Sequence, residues 1–122
     1  MQATTDSLFE QMARKLVAEF DPERVILFGS HAWGQADSGS DVDLMVIVRH
    51  SDASPYERAI LAHTCLGEFD VPKDVIVKTQ AEFDFFRDVR ASLEYKVVTQ
   101  GRILYERGQE TARANLAGQG GA

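Results

Sequence analysis

The chain has 122 residues, 44% of them hydrophobic and 26% charged, the composition of a single folded domain rather than a disordered tail. Thirteen Lys and Arg stand against nineteen Asp and Glu, a formal net charge of -6. That balance speaks against a polynucleotide as direct partner, because phosphate neutralisation needs clustered cations. Carboxylates grouped to hold Mg2+ would also make a chain acidic. Cys65 is the only cysteine, which excludes an intrachain disulfide and a Cys-based zinc site. No apolar run approaches a membrane span, and Met1 to Glu10 lacks the charged and apolar regions of a secretory signal. The expectation is a cytoplasmic protein that does not engage a membrane.

Leu8, Phe9, Met12, Leu16, Val17 and Phe20 recur at helical spacing, so Thr4 to Phe20 is predicted as an amphipathic helix. Thr5 or Asp6 would cap it and Asp21-Pro22 end it. Val25 to Phe28 reads as a short buried strand closed by Gly29-Ser30. From His31 to Ser40 the chain is rich in Gly, Ser and Asp, with room for one helical turn near Ala32-Trp33. Trp33 is expected at the surface there, with a lid and a partner contact both open, and contact of His31 with phosphate is likewise open. Asp41 to Val48 follows as a second strand.

Ser54, Pro55 and Glu57 form a capping box that opens a helix to about Glu68, with Ile60, Leu61 and Thr64 expected inside. His63 is assigned to that helix surface and Cys65 to its packing. Lys73 to Val77 reads as a third strand. Thr79 and Glu82 make another capping box before a helix carrying Phe83, Phe85 and Phe86, assigned to core and interface. A helix from Ser92 to Gln100 stops at Gly101, and Arg102 to Tyr105 is predicted as an edge strand. Strands interleaved with helices imply an α/β (α+β) fold, a small mixed β-sheet flanked by helices. The domain is expected over residues 1–106, with an Ala/Gly-rich tail, 107–122, expected to be flexible.

The chemistry concentrates between Leu27 and Leu44. Asp41 and Asp43 alternate on a strand and so share one face, which continues as Met45 and Ile47, while Val42, Leu44, Val46 and Val48 line the other. A strand apolar on both faces is buried on both, so its two acids belong at the mouth. Two carboxylates on one face repel, and a hard divalent cation offsets the repulsion. Gly29 allows a tight turn and close approach to a ligand, and the Ser30 hydroxyl suits phosphate oxygens. Asp74 likewise opens an apolar strand. Were the second and third strands neighbours, Asp74 would join the pair, and three carboxylates can hold two metal ions about 3.5–4 Å apart, the geometry of in-line phosphoryl chemistry. The rival phosphate loop fails, since Gln35 stands where a Walker motif needs Lys.

Gly29-Ser30, the ten residues from His31 to Ser40, and Asp41-Val42-Asp43 resemble the signature of the minimal nucleotidyltransferase (MNT) group of the polymerase β-like superfamily. Phe28, Ala32, Gly34 and Leu44 fit the surrounding pattern, and the likeness covers roughly residues 5 to 106. His31 and Trp33 depart from it, since family members commonly carry Arg at one or both positions. The resemblance implies ATP as substrate, its phosphates held by Gly29, Ser30 and the backbone near Ser40. It implies two Mg2+ ions on Asp41 and Asp43, with Asp74 completing the catalytic metal site and helping to deprotonate the acceptor. Stand-alone domains of this size resemble antitoxins that transfer AMP to a tyrosine of a helical HEPN toxin. Two other readings stay open: a non-catalytic module that masks a helical partner, and an aminoglycoside-type nucleotidyltransferase. A homo-oligomer also stays open.

Overall fold

The computed structural model describes residues 2–37 and 39–108, with side chains from Ser7 onward. Helical periodicity in the N-terminal segment becomes α1 (Gln2–Phe20), which buries Phe9, Met12, Ala13 and Leu16. Gln2 and Ala3 are good helix formers and carry the helix past Thr5 and Asp6, which therefore lie within it rather than at its cap. Asp21 ends it at φ 47°, its N–H donating to the Val17 carbonyl at 2.9 Å, and Pro22 cannot continue it.

β1 (Arg24–Phe28) and β2 (Val42–Val48) pair antiparallel, and one helical turn, α2 (Ser30–Trp33), lies between them. α3 (Pro55–Cys65) crosses over to β3 (Lys73–Thr79), which pairs parallel with β2. α4 (Gln80–Phe86) and α5 (Leu93–Gln100) return the chain to β4 (Arg102–Glu106), antiparallel to β1. The sheet order is β3-β2-β1-β4, a mixed sheet with helices on both faces, as the element pattern predicts.

Strand alternation divides the core in two. Val25, Leu27, Val42, Leu44, Val46 and Val48 face α1 and α3. On the opposite face Ile26, Phe28, Met45 and Ile47 pack with Phe83 of α4 and Val97 of α5. Both capping boxes form as read: Ser54 Oγ accepts from Glu57 N–H at 3.1 Å and Thr79 Oγ1 from Glu82 N–H at 3.2 Å.

α3 departs from the prediction. Its inward positions are Arg58 and Ala62, followed by Leu66 just beyond its end, while Ile60, Leu61 and Thr64 are exposed. The cause is Arg58, whose guanidinium donates to the Ala53 and Val77 carbonyls and to Glu82, at 3.0, 3.2 and 2.9 Å. Fixing that side chain inward turns the more apolar residues out. Cys65 packs between helices, its Sγ 3.3 Å from the Lys15 carbonyl. Of the three phenylalanines on α4 only Phe83 enters the core, while Phe85 is 74% exposed. After β4, Arg107 is tied to Asp21 at 2.7 Å and to Glu23 at 3.1 Å. The rest of the Ala/Gly-rich tail lies outside the described residues, and no described helix is long and apolar enough to cross a membrane.

Candidate functional site

β1 ends, and β2 and β3 begin, at one end of the sheet. There Asp43 pairs in register with Phe28 on one side and with Asp74 on the other. The parallel register sets Asp43 and Asp74 on adjacent strands, about 4.8 Å apart in backbone spacing and on one face. That face continues inward as the apolar layer of Met45 and Ile47. Asp41 stands one residue before β2 and is exposed, as is Asp74, whereas Asp43 is half-buried.

Gly29 follows Phe28 directly. Its φ of 78° is unfavourable for a residue with a Cβ, and a Cβ there would come within 3.0 Å of the Asp43 Cγ. Glycine thus brings the turn into contact with the carboxylate. The Trp33 and Ala32 N–H groups donate back to the Gly29 carbonyl, both at 3.0 Å. The loop returning to β2 is bonded to itself: Asp37 N–H donates to Ser40 Oγ at 2.9 Å, and Gly39 N–H to Asp37 Oδ1 at 2.9 Å. His31 joins the two halves, its Nε2 lying 3.3 Å from the Ser40 carbonyl and its ring edge-on to Phe9.

Burial is the largest influence on Asp43, and the Asp74 and Asp41 carboxylates add to it; together they hold its carboxyl above the ordinary value of 3.8, with His31 opposing. A cation would relieve all three, and oxygen donors suit a hard divalent ion. Among the described residues no three His, Cys, Asp or Glu side chains are drawn together as a ready metal cage. Asp43 and Asp74 are adjacent in register, and the Asp41 carboxylate adds to the negative charge that Asp43 faces.

The structure adds residues that the sequence did not suggest. A groove of about 290 Å³ runs from Asp74 along the outer edge of β3, lined by Arg58, His63, Lys78 and Glu82. His63 is thus half-buried in the groove that Asp74 also lines, and no helical periodicity could have shown it. Trp33, expected at the surface, packs against the Ile26–Met45 layer with Lys96 of α5 above its ring.

A four-stranded mixed sheet with a glycine turn against register-paired carboxylates is the architecture of a nucleotidyltransferase domain. The chain belongs to the polymerase β nucleotidyltransferase family, whose model matches residues 10–110. The fold is similar to that of a protein from Sulfolobus solfataricus described as a "putative nucleotidyltransferase", at a TM-score of 0.63 and 19% identity, covering 87% of this chain and 84% of that one. It is also similar to a structure described as a mutant of the toxin–antitoxin MntA-HpeT, at a TM-score of 0.55 and 20% identity, covering 91% of each chain. No curated protein matches the chain.

Proposed function

We propose that this protein is a Mg2+-dependent, cytoplasmic nucleotidyltransferase that moves AMP from ATP to a tyrosine hydroxyl of a helical HEPN-type toxin partner. The observation that carries the reading is the contact between the Gly29 turn and Asp43, with Asp74 in register beside it. It supports a reading in which the turn binds phosphate beside the paired carboxylates. The chain's likeness to the MNT group supports a protein acceptor. So do Tyr56, Ile60 and Leu61, which project from α3 with 75%, 48% and 45% of their surface exposed.

On this reading Gly29, Ser30 and the backbone near Ser40 bind the triphosphate. Asp41, Asp43 and Asp74 would hold two Mg2+ ions, which when bound supply charge neutralisation at the phosphates. Asp74 takes the proton of the acceptor hydroxyl, whose oxygen forms a new bond to the α-phosphorus. The bond from that phosphorus to the bridging oxygen breaks, and pyrophosphate leaves. Asp43 serves from its half-buried position as an oxygen donor fixed by the sheet register.

The test follows radiolabel from α-labelled ATP onto the co-purified partner in Mg2+. The native protein is expected to label a partner tyrosine, and Asp43→Asn to reduce transfer by about two orders of magnitude or more. No labelling by the native protein, with Asp43→Asn behaving identically, would sink the enzymatic reading and leave partner masking as the function, whereas equal labelling by the two would remove Asp43 from the site.

A further inference from the structure

Lys96 Nζ lies 4.2 Å from the centroid of the Trp33 ring. Trp33 closes the helical turn that begins after Gly29, and its N–H donates to the Gly29 carbonyl at 3.0 Å. The ammonium is therefore linked through one ring to the turn that meets Asp43. Lys96 is carried by α5, where its neighbour Val97 packs with Ile26, Phe28, Met45 and Ile47. Those residues continue the face on which Asp43 and Asp74 open, so α5 walls that face and Lys96 stands on the wall.

Other cations nearby are committed. Lys78 pairs with Glu94 at 3.2 Å and Arg58 with Glu82 at 2.9 Å. Lys73 donates to the Phe69 and Val71 carbonyls at 2.9 and 3.3 Å. Lys96 makes no ion pair with a described carboxylate, and its partner is the aromatic face. A ring orients an ammonium without cancelling its charge. Such a contact is also weaker than a charge-assisted hydrogen bond to phosphate, so the ammonium can leave the ring for an anion. A triphosphate entering among three aspartates needs positive charge from the protein as well as from metal.

We propose that Lys96, held by Trp33, is a nucleotide-binding residue that neutralises the phosphates of a nucleoside triphosphate seated on Gly29-Ser30. This rests on the nucleotidyltransferase reading above and adds to it the protein cation that faces the phosphates. Trp33 is the only tryptophan, so its fluorescence reports on the pair directly.

The experiment titrates the full chain with α,β-methylene-ATP in Mg2+, followed by Trp33 fluorescence and by calorimetry. Lys96→Met is expected to raise Kd about tenfold or more and to flatten its salt dependence. Binding of adenosine, which lacks phosphate, should be unchanged, and Lys96→Arg should restore most of the affinity for the analogue. A purely structural role for Lys96 would move adenosine and the analogue together. Circular dichroism checks that the variants fold. Native-like affinity in Lys96→Met overturns the inference alone. So does a loss that appears only in Arg102→Ala, since Arg102 starts β4 opposite Leu27 at the same end of the sheet. A native chain that takes up no analogue overturns the nucleotidyltransferase reading along with it.

Discussion

Gly29 meets two demands that no other residue satisfies together. Its backbone turns at φ 78°, and the space a side chain would fill is held by the Asp43 carboxylate. Gly29→Ala is therefore expected to cost about 1–3 kcal/mol of stability, read by urea denaturation. It should also displace Asp43 and depress catalysis beyond what lost stability explains. Asp43 itself is strained electrostatically rather than sterically. Because burial and its acidic neighbours raise its pKa, the fold favours the protonated form. Its contribution to stability therefore falls as pH rises from the ordinary value toward the raised one.

Between elements, Arg58 joins α3, β3 and the cap of α4 through Ala53, Val77 and Glu82. It is 5% exposed, so removing it leaves the buried Val77 carbonyl without that donor and Glu82 without its cation. Arg58→Ala is expected to destabilise the domain by about 2–4 kcal/mol, measured by thermal or chemical unfolding. The Arg58 hydrogen bond, then the Thr79 N–H, hold Glu82 below its ordinary value of 4.5. A lowered carboxylate pKa stabilises the fold above the unfolded value, and that gain is lost as pH falls through the lowered one. Acid titration of stability should thus be shallower in Glu82→Gln than in the native chain. Lys78–Glu94, at 3.2 Å, ties β3 to α5 in a similar way across the opposite face.

For the whole molecule, the net charge of -6 has a local component at the mouth of the sheet. A divalent cation bound only by the folded state raises stability by mass action, by about 2.7 kcal/mol at a hundred times its Kd. In a thermal melt at constant ionic strength, Mg2+ is expected to raise the Tm of the native chain by several degrees, about 3 °C or more per kcal/mol in a domain of this size. Asp43→Asn should lose most of that gain. The gain should also vanish in acid, where the carboxylates take up protons that they must lose before they can act as ligands. An equal response in native and variant would place the bound cation away from Asp43.

Local order was legible in the sequence. The capping boxes at Ser54 and Thr79, the doubly buried β2 and the glycine turn all depend on neighbours a few residues apart, and side-chain period and backbone sterics determine them. Much of the nucleotidyltransferase motif lies in such a stretch, so it was readable too. The interior of α3 was not. Ile60 and Leu61 are more apolar than Arg58, but Arg58 alone could reach the Val77 carbonyl and Glu82, which are partners distant in sequence. Register between β2 and β3 put Asp74 beside Asp43, and packing of α5 brought Lys96 over Trp33. Each of these depends on chain segments that meet only after the sheet and its crossovers have formed, so tertiary structure alone decided them.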